Sequence, residues 1–132
     1  MPVTDEQRKQ LGRDGEDSVA KWLGDKGFEI VRRNFFVRGG EIDIIAKKDD
    51  LLAFVEVRTW DHQYWDGGSP IQTIKKAKMR RIVKAARYFM MKSGIDENKT
   101  YIRFDVAGVI KATDEFTIDY YESAFDSEGN VW

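Results

Sequence analysis

The alternation of apolar and polar positions along the chain predicts seven secondary-structure elements. Apolar residues recur at helical spacing over residues 5–26 and 71–92, with Thr4 or Asp5 as the first N-cap and Gly27 as a stop. Runs rich in β-branched and aromatic residues predict strands at 28–37, 41–47, 51–59, 101–110 and 116–121, and residues 60–70 are predicted to form a loop. The order αβββαββ predicts one α/β domain over residues 1–132, a mixed central sheet flanked by helices, with residues 123–132 as a loose C-terminal tail.

Acidic residues interrupt two of the most apolar predicted strands. If residues 49–50 form a two-residue turn, Asp43 falls opposite Glu56 and Glu41 falls opposite Arg58. Such cross-strand partners share a face of the sheet, with Cβ atoms roughly 5 Å apart. Two facing carboxylates repel each other unless a proton or a cation lies between them. Hard oxygen ligands suit Mg²⁺ or Mn²⁺, so the hairpin favours a metal-dependent phosphodiesterase.

Each predicted helix carries one charged residue on its apolar face. Glu16 shares a face with Val19, and Lys78 lies four residues from both Ile74 and Ile82. Either charge has two interpretations: Glu16 forms a local ion pair and Lys78 extends outwards to solvent, or both point into a common cavity. In the second case they join Asp43 and Glu56 from separate segments of the chain.

Composition limits the class of protein. The 132-residue chain has no cysteine, which excludes disulfides, thiolate catalysis and cysteine-based zinc sites. Its polar N-terminus lacks a secretory h-region, and no apolar stretch reaches the roughly 20 residues that a membrane span needs. We therefore expect a cytoplasmic location.

The charge distribution is more informative than the total of −1, which argues weakly against a nucleic-acid binder. Residues 70–95 carry eight basic residues and no acid. This stretch is either a solvated helix face or a surface for a phosphate backbone. In the second interpretation the nucleic-acid-binding candidates are Lys75, Lys76, Arg80, Arg81 and Lys84.

Several motifs together resemble a known family. Asp43, followed thirteen residues later by Glu56-Val57-Arg58, resembles the D…(D/E)-x-K core of the PD-(D/E)XK nuclease superfamily. More closely, the chain from residue 8 to 125 resembles the YraN-type family, bacterial endonuclease-like proteins related in fold to archaeal Holliday-junction resolvases. The blocks that carry this resemblance are Gly12-Arg13-Asp14-Gly15-Glu16, Gly40-Glu41-Ile42-Asp43, Phe54-Val55-Glu56-Val57-Arg58, the basic helix ending Ala85-Ala86, and Arg103-Phe104-Asp105-Val106.

The resemblance implies a restriction-endonuclease-like fold and a DNA endonuclease that uses one or two Mg²⁺ or Mn²⁺ ions, with branched, flapped or junction DNA as the candidate substrates. Asp43, Glu56 and Glu16 would be the metal ligands, with the Val57 carbonyl as a further oxygen. Arg58 stands where the superfamily has its lysine, and because arginine stays protonated it cannot serve as the base.

Arg58 can still stabilise charge on the phosphate, while Lys78 could replace the missing amine. The alternative for Arg58 is a plain salt bridge to Glu41 or Glu56.

Other functions remain open from the sequence. The main rival to the enzyme is a catalytically inactive module of the same fold that binds nucleic acid in a repair, recombination or uptake complex. The aromatic residues of the predicted loop, Trp60, Tyr64 and Trp65, could stack on unpaired bases, fill a homodimer interface or cover the edge of the core. In the second case a partner-binding domain is the third candidate. His62, the single histidine, lies in this loop and is not favoured as a catalytic residue.

Overall fold

A computed structural model describes residues 3–132. Its elements are α1 (Asp5–Asp25), β1 (Glu29–Val37), β2 (Gly40–Lys48), β3 (Leu51–Asp61), α2 (Lys76–Lys92), β4 (Tyr101–Lys111) and β5 (Phe116–Phe125). The five strands form one sheet in the order β1-β2-β3-β4-β5, in which β3 and β4 are parallel and the other neighbours antiparallel. The predicted αβββαββ order and mixed sheet are therefore confirmed, consistent with a restriction-endonuclease-like core.

The first helix begins and ends where its local sequence predicts. The Thr4 hydroxyl accepts a hydrogen bond from the backbone N–H of Gln7, whose side chain accepts one from the Thr4 N–H, so Thr4 and Gln7 form a capping box. The helix ends at Asp25, and Gly27 follows with φ of +94°, a conformation that favours glycine. Local chemistry thus fixes the position of α1 along the chain.

The two helices cover opposite faces of the sheet. Consecutive residues of β3 belong to different buried clusters, because successive strand side chains point to opposite faces. Phe54 packs with Phe89 of α2, whereas Val55 packs with Val19 and Leu23 of α1. A charged side chain on the inner face of each helix therefore reaches the sheet from its own side.

The β2–β3 hairpin opens at one end. Asp49 has φ of 54° in the two-residue turn, and the antiparallel register runs from Lys48 opposite Leu51 to Ile44 opposite Val55. Beyond that point β2 pairs with β1 alone and β3 with β4 alone. The strands therefore separate at the positions that carry the predicted acids.

Two predicted boundaries are wrong. The second helix begins at Lys76 and not at residue 71, because residues 71–73 form a 3-10 turn and Ile74 adopts an extended conformation that buries its side chain. The predicted loop also begins later, since β3 continues to Asp61, which pairs with Lys111.

The predicted loose tail is anchored where it begins. Strand β5 extends to Phe125, and both Ala124 and Phe125 are buried. Phe125 also forms a bridge to Val131, so apolar burial and backbone pairing hold much of residues 123–132. Within residues 3–132, no helix is both long enough and apolar enough to cross a membrane.

Candidate functional site

An open cavity of about 390 Å³ lies where β2 and β3 separate. Six residues singled out from the sequence line it, from both helices and both strands. They are Glu16 of α1, Asp43 of β2, Glu56, Val57 and Arg58 of β3, and Lys78 of α2. The separation of the strands lets side chains from both sides of the sheet meet in one space.

Asp43 is the central acid of this cavity. Its Oδ2 accepts a hydrogen bond of 2.8 Å from the Val57 N–H, in place of a ladder bond that the separated strands no longer form. The Asp43 carboxylate also lies in direct contact with Glu16 and with Glu56. Burial and then the Asp43 charge raise the pKa of Glu16 to about 7 and the pKa of Glu56 to about 8.

Glu56 is the most enclosed of the charged groups, with only 4% of its surface exposed. No residue among 3–132 donates a hydrogen bond to its Oε1. Its Oε2 lies 3.6 Å from Arg58 Nε and 4.0 Å from Lys78 Nζ, separations at which the charges attract but hydrogen bonds do not form. Glu56 and Asp43 are thus two acceptors in contact that need a proton or a cation between them.

Lys78 and Arg58 differ in their partners. Lys78 points inwards with 17% of its side chain exposed, so the outward interpretation is wrong, and its Nζ lies 2.6 Å from Glu41 Oε1. The predicted cross-strand pairing of Glu41 with Arg58 is also wrong, because the ladder has ended before these positions. Arg58 keeps the ion pair with Glu56, while its Nε is buried without a hydrogen-bond acceptor within residues 3–132.

The donor set fits a hard divalent cation only in part. No three His, Asp or Glu side chains of residues 3–132 form a ready-made metal cluster. Two carboxylates remain, Asp43 and Glu56, together with the Val57 carbonyl. In a strand, the N–H and C=O of one residue point to the same side, so the Val57 carbonyl faces the gap into which its N–H donates. Oxygen donors of this kind, with an unpaired Glu56 oxygen among them, suit Mg²⁺ or Mn²⁺.

Comparison with known proteins gives the family. A model of the uncharacterised protein family UPF0102 matches residues 15–109 of the chain. A UPF0102 protein of Desulforapulum autotrophicum is 36% identical over 122 residues, which cover 92% of this chain and 98% of the relative. A UPF0102 protein of Flavobacterium psychrophilum is 38% identical over 119 residues (90% and 96%), and one of Alcanivorax borkumensis is 36% identical over 129 residues (97% and 100%).

The chain belongs to UPF0102. This confirms the YraN-type resemblance at the level of the family. The matched segment, residues 15–109, includes every acid and cation of the cavity named above.

Glycine allows α1 of this UPF0102 protein to approach the sheet closely. A Cβ at Gly15 would overlap the side chain of Thr59 on β3. Glu16 follows directly, so this contact brings its carboxylate within reach of Asp43. The position of Glu16 therefore depends on a residue without a side chain beside it.

Sequence reasoning missed several residues that line the cavity of this UPF0102 protein. Arg8 precedes Glu16 by eight residues, so its helical spacing could have placed it on the face that Gly12 and Glu16 share. Thr59 and Trp60 extend β3 past Arg58, and their place depends on strand alternation. Thr73 also lines the cavity, and no sequence signal marks it.

The predicted nucleic-acid-binding residues are all exposed but border different parts of the UPF0102 fold. At the β1–β2 turn, the Arg81 carbonyl lies against Gly40 and the Lys84 Nζ lies against Gly39. Two others, Lys76 and Arg80, lie beside Gly129 of the C-terminal segment. Lys75 is the N-cap residue of α2. DNA binding by these residues stays a prediction.

Residues of the aromatic segment of the UPF0102 chain also lie in different parts of the structure. Trp60 lies on β3 and lines the cavity. His62 lies in a 3-10 turn and lines a separate cavity formed with Lys111, so it is outside the acidic site.

Proposed function

We propose that this protein is a metal-dependent DNA endonuclease of the PD-(D/E)XK type. One observation carries the proposal: Asp43 contacts both Glu16 and Glu56 in a single cavity that also receives Lys78 and Arg58. Holding three acids together, with Glu56 buried and Glu16 and Asp43 partly buried, raises the free energy of the fold, which is a mark of functional sites. The order of the motifs along the chain gives independent support.

Asp43, Glu56 and the Val57 carbonyl would hold the cation, Mg²⁺ or Mn²⁺. When bound, one or two such ions supply charge stabilisation at the phosphate and lower the pKa of water. Glu16 is more exposed than Glu56 and has its pKa raised to about 7. Its carboxylate can therefore complete the ligand set or accept the proton of the attacking water near neutral pH.

Arg58 and Lys78 would act on the phosphate. The Arg58 guanidinium lies beside the acids and has a donor without an acceptor, so it can hydrogen-bond a phosphate oxygen that enters the cavity. Lys78 is held by Glu41 at 2.6 Å and contributes positive charge beside Glu56. In hydrolysis the oxygen of water forms a bond to phosphorus, one P–O bond to the sugar breaks, and the products are a phosphate monoester and a sugar hydroxyl that takes up a proton. Both cations would stabilise the negative charge that develops on the oxygens of the phosphate.

The test is cleavage of junction, flap and duplex DNA with Mg²⁺ or Mn²⁺. Asp43→Ala and Glu56→Ala should abolish cleavage while circular dichroism shows an unchanged fold. Asp114→Ala and Glu115→Ala remove the same side chains from the exposed β4–β5 turn and should cut like the parent. If Asp43→Ala and Glu56→Ala both cut DNA at the parent's rate, the proposal is wrong.

A second candidate is a binding module of the same fold without catalysis. The arginine at position 58 favours it, because a group that stays protonated cannot take a proton from water. Calorimetric titration with Mn²⁺ separates the two candidates. An endonuclease binds Mn²⁺ and loses that binding in Asp43→Asn, whereas a module without a metal site gives the same small heats in both proteins.

A further inference from the structure

A groove with apolar and basic walls lies beside the acidic cavity, between β1 and α2. Four apolar or aromatic residues, Phe36, Val37, Tyr88 and Met91, line a space of about 610 Å³. Phe36 is 66% exposed and Met91 is 68% exposed, which is unusual for large apolar side chains. Three basic residues share the lining, Arg38, Lys84 and Arg87. We call this surface the aromatic–basic groove.

The positive charge of the groove indicates that its ligand is an anion. No acid lines it, and Arg38, Lys84 and Arg87 form no ion pair with another residue of the described chain, 3–132. Unpaired cations around exposed aromatic rings complement a polyanion that also has flat apolar faces. A single nucleic-acid strand has both features, since its phosphates lie beside bases whose faces are free to stack.

The groove continues into the acidic cavity. Phe36 pairs with Glu41 across β1 and β2, and such partners have Cβ atoms roughly 5 Å apart. Glu41 binds Lys78 at 2.6 Å, and a smaller cavity shares Phe36 with the groove and shares Glu41 and Lys78 with the acidic cavity.

The aromatic surface is held in place from behind. The Tyr88 ring packs against buried Phe35 with centroids 6.4 Å apart, and Lys92 Nζ lies 6.0 Å from the Tyr88 centroid. Tyr88 therefore offers a positioned ring, because its orientation is fixed before a ligand arrives.

From these observations we infer that the aromatic–basic groove binds an unpaired strand of the DNA next to the scissile phosphate. Bases stack on Phe36 and Tyr88, while Arg38, Lys84 and Arg87 hold the phosphates. The inference rests on the proposed function and specifies its substrate class as DNA with an unpaired segment, such as a flap. Fully paired DNA would gain little, since its base faces are hidden in the stack.

Binding can be measured without cleavage, in EDTA, by fluorescence anisotropy with an oligo-dT of about 12 nucleotides and a paired duplex of the same length. Phe36→Ala should weaken single-strand binding about tenfold and leave duplex binding unchanged. Tyr101→Ala is the matched control, because Tyr101 is 60% exposed and lies outside the groove. Lys84→Gln should reduce the slope of log affinity against log salt by about 0.7, whereas Lys47→Gln, at the far end of β2, should not.

Unchanged single-strand affinity in Phe36→Ala would overturn the inference. So would a parent dimer that Phe36→Ala converts to monomer at unchanged DNA affinity, because the groove would then be an interface between copies.

Cleavage separates this inference from the proposed function. If the parent and Phe36→Ala both cut flap and duplex DNA equally well, the protein is a nuclease but the groove does not bind an unpaired strand. If the parent cuts none of the DNA substrates but binds single strands in a way that depends on Phe36, the groove binds DNA and the proposed nuclease activity is wrong.

Discussion

Removing one charge from the acidic cavity should stabilise the protein in the absence of metal. Burial, and then the Asp43 carboxylate, raise the pKa of Glu56 from 4.5 to about 8. A carboxyl group with a higher pKa in the folded state holds its proton more tightly there than in the unfolded chain. The free energy of unfolding therefore falls as the pH rises from about 4.5 to about 8, and this loss persists at higher pH. Glu56→Gln keeps the shape of the side chain but cannot ionise, so its free energy of unfolding should not fall in this way.

The expected size follows from the same pKa. Each unit of difference corresponds to 1.36 kcal/mol, so the ionised Glu56 carboxylate lowers stability by at most about 5 kcal/mol. Entry of water and relaxation of the open cavity reduce this to about 2 to 4 kcal/mol. Near pH 4.5 the difference between the parent and Glu56→Gln should be small, because Glu56 is protonated in the folded state.

Urea denaturation in EDTA at pH 4.5 and pH 9 measures both values. Glu115→Gln is the control, because it removes the same charge from the exposed β4–β5 turn and should follow the parent at both pH values. Mg²⁺ or Mn²⁺ should then reverse the order at pH 9. An ion that binds the folded parent alone adds about 4.1 kcal/mol at a concentration about 1,000 times its Kd, which offsets the whole of the loss, and Glu56→Gln should lack this gain.

Two results would refute the reasoning. A Glu56→Gln variant that is less stable than the parent at pH 9 would mean that Lys78 and Arg58 compensate the buried charge fully. Equal stabilisation of both proteins by the metal would mean that Glu56 is not a ligand.

Two further predictions concern the support of the site, and a third concerns the hydrogen bonds of buried Asp105 elsewhere in the sheet. Gly15→Ala should destabilise the fold by about 1 to 3 kcal/mol in urea titration, since the new Cβ overlaps Thr59, and adding Thr59→Ala should recover part of the loss; full stability of Gly15→Ala would show that α1 shifts freely. Lys78→Gln should lower the melting temperature more at pH 9 than at pH 5, because Glu56 then ionises with one cation fewer beside it, and an equal shift at both pH values would contradict this. Tyr120→Phe should lower the free energy of unfolding by about 1 to 3 kcal/mol, since the Tyr120 hydroxyl donates a 2.5 Å hydrogen bond to fully buried Asp105; a neutral effect would mean that the other donors to Asp105 suffice.

Much of the fold could be predicted because its signals are local. The capping box at Thr4, the stop at Gly27 and the turn at residues 49–50 depend on neighbours a few residues away. The start of α2 could not be predicted in this way. Ile74 continues the apolar spacing of the helix, yet it is buried from an extended backbone, and spacing alone does not distinguish the two conformations.

The candidate site could also be predicted only in part, and the limit was again set by how far local pairing extends. Strand register predicted that Asp43 would face Glu56, and the two carboxylates do lie close together, although the ladder ends one pair earlier, at Ile44 and Val55. Register also predicted that Glu41 would meet Arg58, and there it failed, because the strands separate after Ile44 and Val55.

The sequence alone determined the elements, their order and the presence of charged residues on apolar faces, because helix caps, turns and residue periodicity act over a few neighbouring positions. The tertiary structure decided which of those charges meet. The separation of β2 and β3, the close approach of α1 at Gly15 and the ion pair of Lys78 with Glu41 each depend on segments distant in the chain. The aromatic–basic groove has the same origin, since Phe36 and Tyr88 become neighbours only when α2 packs beside β1.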